Sequence, residues 1–145
     1  MRRNGLGKIS LLLPLSSLVI WGSVFASVLL SPGFSWTDDL LSDMGVSEVS
    51  LMFNLGLIAG GLLSIIFTLF YVSAKRGQSE HMVAGFFLFL VNSSYILAGI
   101  FTLNFGAIHY VFAFLSFIAS MIVIGFLSVV FIIKDESTWL GIYGV

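Results

Sequence analysis

Four long apolar runs, at residues 9–30, 49–74, 82–103 and 107–133, contain no Asp, Glu, Lys or Arg. A helix rises 1.5 Å per residue, so each run has at least the roughly 20 residues needed to cross a hydrocarbon core of about 30 Å. With 59% hydrophobic and 9% charged residues and a mean hydropathy of +1.12, the chain has too few charges to cover a soluble sphere. The reading is an all-α integral membrane four-helix bundle. Residues 1–145 are taken as a single transmembrane domain, with 134–145 a cytoplasmic tail or the start of a further apolar segment, since the seven residues WLGIYGV are too few to span. Arg2 and Arg3 ahead of an apolar run and a small-residue VFAS site imitate a signal peptide. The run exceeds the usual 7 to 15 residue core of such peptides and continues as a full span, so it is read as retained.

Charge placement sets an expected orientation. The segment from Ser31 to Glu48 holds Asp38, Asp39, Asp43 and Glu48, four of the seven acids, and no Lys or Arg. Arg2, Arg3, Lys8, Lys75, Arg76 and Lys134 all fall at boundaries that alternation puts on the other side. The positive-inside rule therefore predicts a cell-membrane protein with a cytoplasmic N-terminus, both termini inside and the acidic loop outside. Ser47-Glu48 and Ser79-Glu80 offer hydroxyl N-caps and first-turn carboxylates to the second and third helices, and Asn104 or Gly106 opens the fourth. Lys75 and Arg76 close the second helix.

The acidic loop has structure of its own. Pro32-Gly33 breaks the first helix, Ser35 or Thr37 caps a new turn, and Gly45 closes it. A short interfacial helix is expected at about Asp38 to Met44. Phe34, Trp36, Leu40, Leu41 and Met44 would rest on the bilayer surface or the bundle mouth.

Small and polar residues recur at helical spacing in every span, as they do where membrane helices touch. They are Ser16, Ser23 and Ser27 beside Gly22 and Ala26; Gly56 and Gly60, followed by Ser64 and Thr68, with Asn54 and Gly61 on a neighbouring face; Asn92, Tyr95, Gly99 and Thr102; and His109, Ala113, Ser116 and Ser120. Helix packing is the plain reading, with Gly56 and Gly60 as its clearest mark. The alternative makes the stripes line a polar cavity, with Asn54, Asn92 and Tyr95 as its intramembrane polar groups.

His109 opens the fourth helix at the level of Asp38, Asp39, Asp43 and Glu48. A His paired with Asp43 or Asp38 has the makings of a general acid/base couple, and a His with two carboxylates those of a metal site. The competing reading is a His bonded to a loop carbonyl or carboxylate, which pins that loop to the bundle. No metal and no cofactor are expected, because the chain has no H-E-x-x-H, G-x-S-x-G or P-loop motif. Absence of cysteine removes disulfides, thiolate nucleophiles and Cys-based zinc. His81 is read as part of a solvated turn, KRGQSEH. Nucleic acid is excluded as a partner, and proton pumping and voltage sensing want charges inside the spans.

Ser31-Pro32-Gly33-Phe34, Leu41-Ser42-Asp43-Met44-Gly45, Phe53-Asn54-x-Gly56-Leu57-Ile58, Gly60-Gly61-Leu62-Leu63, and His109 followed by Ala113 and Phe117 resemble the prokaryotic, often archaeal, multi-pass proteins of domain of unknown function family 998. The resemblance covers most of the chain, implies further spans after the fourth, and marks the LSDMG loop, Asn54 and His109 as signature positions. It implies no reaction. Three functions are carried forward. The first is a non-enzymatic interaction or structural protein that meets the bilayer and packs against itself or another membrane protein. The second is an extracytoplasmic lipid-modifying enzyme built on His109 with Asp43 or Asp38. The third is a small-solute carrier acting as an oligomer.

Overall fold

Where the apolar runs stop, the chain turns. The computed structural model describes residues 9–134, so Arg2, Arg3, Lys8 and the segment after Lys134, including WLGIYGV, lie outside the described residues. Helix α1 spans Leu12–Leu29, α2 Ser50–Ala74, α3 Ser79–Ile100 and α4 Ala107–Lys134. Two short 3-10 turns, Leu41–Val46 and Leu103–Phe105, sit in the loops at one end of the molecule, and no strand occurs among the described residues. All four helices are long and apolar enough to cross a membrane, and the chain is a multi-pass helical membrane protein. Leu18, Leu51 and Phe114, each about 70% exposed, belong to the apolar outer surface that lipid covers.

Local chemistry explains the boundaries. The Leu30 and Ser31 amides bond back to Ala26 and Val28, and Pro32-Gly33 then carries the chain away. Gly77 (φ 90°) makes the α2–α3 turn and Gly106 (φ 55°) precedes α4, backbone shapes that other L-residues adopt at a cost. The expected hydroxyl caps are met only in part. Ser47 Oγ accepts the Val49 amide at 3.3 Å just ahead of α2, whereas Ser79 lies inside α3, after an N-cap at Gln78 that makes no side-chain bond.

The acidic loop forms its short helix later than expected, at Leu41–Val46 and as a 3-10 turn. Its carboxylates decide this. Asp39 accepts the Ser35 amide at 2.7 Å, and Asp38 accepts the Ser35 and Thr37 hydroxyls at 2.8 and 3.1 Å, which holds residues 35–39 as a separate turn. Asp43 then reaches back to the Leu40 amide at 2.7 Å, making Leu40 the start of the helix. Met44 is buried in a cluster with Ile20, Val24, Phe53 and Leu57, and Phe34 and Leu41 pack against it. Trp36 and Leu40 stay exposed.

Helices pack in chain order, α1 on α2, α2 on α3 and α3 on α4. Missing Cβ atoms permit the contacts. A side chain at Gly56 would strike Ser23, and one at Gly60 would strike Ile20 and come within 3.0 Å of the Ser16 carbonyl, so this face of α2 belongs to α1. Gly61 meets Ile96 and the Asn92 carbonyl, and Gly99 meets the Asn54 carbonyl at 2.9 Å, so the neighbouring face belongs to α3. A second buried cluster, Ala84, Val91, Ala119 and Val123, joins α3 to α4. Helices α1 and α4 do not close on each other, which opens the bundle along that side.

Candidate functional site

Polar side chains inside the spans are mostly committed to backbone close by. Ser16, Ser23, Ser116, Ser120 and Ser128 each donate to a carbonyl three or four residues back on their own helix, at 2.7–2.8 Å. Asn92 donates to the Thr68 hydroxyl at 3.2 Å, and Thr68 donates on to the Ser64 carbonyl at 2.8 Å, which joins α3 to α2. Asn54 donates to the Gly45 carbonyl at 2.9 Å, and its Oδ1 is buried without a partner. It ties the 3-10 turn of the acidic loop to the first turns of α2.

His109 is 4% exposed. Its Nδ1 lies 2.8 Å from the Phe101 carbonyl, which only accepts, so Nδ1 carries the proton. In the neutral ring Nε2 is then the acceptor, and it is buried with no partner. The loop it holds is its own, from Phe101 to Gly106, which is also pinned by stacking of Phe101 on Phe112 and an edge contact with Phe105. No hydrogen bond or ion pair joins His109 to Asp38, Asp39 or Asp43 among the described residues. Asp39, Asp43 and Glu48 line a separate hollow in the loop, and the described residues contain no cluster of three His or acidic side chains that could hold a metal.

The opening between α1 and α4 is a cleft with two adjoining cavities. The one under the acidic loop has a volume of about 220 Å³ and the one beyond it about 190 Å³. They share Ile20, Trp21 and Tyr95 as walls. His109, Tyr95, Ser42 and Ser116 are the polar residues lining the first, among Val24, Phe53, Leu57 and Ala98. Asn92, Ser64 and Ser120 reach the second. The Tyr95 and Ser42 hydroxyls form no hydrogen bond among the described residues, so three residues with an unspent polar group line one cavity, His109 with its Nε2 closed to solvent.

Two features escaped the sequence reading. His81 is not solvated: it lies in the first turn of α3, is 2% exposed, and its Nδ1 is 2.6 Å from the Tyr71 hydroxyl of α2. The polar string KRGQSEH concealed this, although His81 follows Ser79-Glu80 at the helix start, where the ring turns inward against α2. The place of the cleft was also missed: the polar-cavity alternative named Asn92 and Tyr95, which line it, and Asn54, which does not, but its walls come from all four helices and no contiguous string encodes where it opens.

The family model described as "Protein of unknown function (DUF998)" matches residues 14–143. No curated protein and no solved structure matches the chain.

Proposed function

Because the chain belongs to the DUF998 family of proteins of unknown function, which carries no reaction with it, we propose from its geometry that it is a non-enzymatic protein of the cell membrane that holds a membrane-dissolved guest in the cleft between α1 and α4. The carrying observation is that the helices pack chiefly on their neighbours in chain order, with little contact between α1 and α4. Gly56 and Gly60, the strongest sequence argument for self-association, are spent on α1, so a homo-oligomer or a membrane-protein partner finds less support through them. A cavity of about 220 Å³ is too small for a helix about 10 Å across and suits one slim apolar chain. The acidic loop roofs the cleft, and the positive-inside rule supports placing it outside. A cysteine introduced at Thr37 that an impermeant maleimide reaches only from within would overturn that orientation.

The cleft reading is tested by placing a photoreactive amino acid at Phe117, which lines the cleft, and at Leu51, an exposed residue of α2 outside it. Small-molecule adducts at Phe117 well above those at Leu51 are expected in native membranes. Equal adducts at both sites would sink the reading.

The unspent Nε2 of His109 favours one second reading, an enzyme acting on lipid headgroups with His109 as base and Asp43 or Asp38 as its partner. Both carboxylates hold groups of their own loop, so this chemistry requires those bonds to be given up. Replacing His109 with Ala and profiling membrane lipids decides the matter. A changed profile supports catalysis, and an unchanged one with a less stable protein removes it. Solute transport along Asn54, Asn92 and the serine stripes is supported least, because most of these donors are committed to backbone or to each other.

A further inference from the structure

We infer that the guest of the cleft is a neutral lipid alcohol whose hydroxyl donates to Nε2 of His109 and accepts from Tyr95. The inference rests on the cleft reading above and adds the chemistry of the head. A buried acceptor without a donor is costly, and His109, a lining residue of the cavity below the loop, holds one that is closed to solvent and that a guest reaches by displacing the side chains over it. A guest that relieves it must bring an O–H or N–H. Nδ1 is held by the Phe101 carbonyl, so the ring cannot turn to offer a donor without breaking that bond. Tyr95 and Ser42 carry hydroxyls with no partner among the described residues, and either can donate to the guest oxygen. A hydroxyl gives and accepts a hydrogen bond through one small uncharged oxygen.

Charge argues against the other heads. Residues 9–74 contain no Lys or Arg, so a phosphate or carboxylate at this end would meet no cation and would lie under Asp38, Asp39, Asp43 and Glu48. An ammonium head would be drawn to those carboxylates, but they do not line this cavity. The body of the guest is apolar and narrow. Ile20, Trp21, Val24, Leu57 and Phe117 wall the first cavity, and the second continues past Trp21 and Tyr95 toward Val123 and Ile124. Trp21 and Phe117, from α1 and α4, are both more than half exposed. They flank the opening through which the chain of the guest reaches lipid.

The test uses the full chain in lipid nanodiscs and three photoreactive probes sharing one diazirine-bearing sixteen-carbon chain: a primary alcohol, its methyl ether and the carboxylic acid. The alcohol is expected to label α1 and α4 along the cleft and to be competed by unlabelled hexadecanol. Ether and acid should label the same residues on the order of fivefold to tenfold less, the worth of one net hydrogen bond. His109→Asn keeps a side-chain N–H for the Phe101 carbonyl and lacks Nε2, and Tyr95→Phe removes one hydroxyl. His109→Asn should bring alcohol labelling down toward the ether level without changing the ether, whereas Tyr95→Phe should lower alcohol and ether alike, since an ether oxygen accepts from that hydroxyl too. Equal cleft labelling by alcohol and ether would overturn recognition of the hydroxyl while leaving the cleft reading standing. Preference for the acid would overturn the neutral head. Uncompeted labelling spread over all exposed faces would overturn both the inference and the reading beneath it.

Discussion

Asn54 and His109 stand on different helices and perform the same task, each giving an N–H to a loop carbonyl at 2.9 and 2.8 Å. Both residues are legible in the sequence as polar groups near the ends of apolar runs. Their partners are not, because Gly45 and Phe101 contribute only backbone, and any residue type has a carbonyl. A Cβ at Gly45 would come within 2.9 Å of Asn54 Oδ1, so the pair depends on a close approach. Asn54→Leu is expected to cost about 1 kcal/mol, the net worth of a hydrogen bond, and to speed amide hydrogen exchange selectively over residues 41–46. Unchanged exchange there would mean that the loop is held by the apolar packing of Met44, Leu41 and Phe34 without the Asn54 bond. Asp38 makes a second prediction at this scale. Hydrogen bonds from Ser35 and then Thr37 lower its pKa below the ordinary 3.8. A depressed carboxylate stabilises above its unfolded pKa, and that contribution is lost as pH falls through the folded value. Order in the turn at residues 35–39 should therefore be flat through neutral pH and fall only below about pH 4. Trp36 fluorescence in an acid titration reads this, and Asp38→Asn should remove the acid step.

At the scale of the element, small residues do in α2 what an amphipathic stripe does in a soluble helix. All four spans are apolar on every side, so periodicity of hydrophobicity cannot say which face turns inward. Glycine, serine and asparagine can. Gly56 and Gly60 mark the α1 side of α2, while Gly61 and the Asn54 carbonyl mark its α3 side. The same stripe has a second reading as a surface for another copy of the chain, and one sequence cannot separate contact within a chain from contact between chains. Gly56→Leu should overpack the α1 contact, since its side chain meets Ser23, at a cost of about 1–3 kcal/mol. Thermal unfolding in detergent should shift down while the oligomeric state stays the same. A change of oligomeric state with unaltered stability would return Gly56 to a surface role. His81 teaches the converse: in a chain this apolar, a short polar string reads as solvated, yet its last residue lies in the first turn of α3 and packs on Tyr71.

For the whole molecule, the all-helical class and the four membrane-length helices among the described residues follow from the sequence alone. The reason is that a run of some 20 uncharged apolar residues has few other places to go than across a bilayer. Membership of the family followed as well, from short polar islands spread over most of the chain. Tertiary structure alone decided which stripes meet, that the LSDMG loop is tied by Asn54 through the Gly45 carbonyl, and that Asp43 and Asp38 bond within their own loop rather than to His109. It alone decided that α1 and α4 stay apart. Lipid is as apolar as the helix faces it touches, so composition carries no penalty for leaving a side open. The opening is set by where glycines let backbones close and where Trp21, Tyr95 and Phe117 do not.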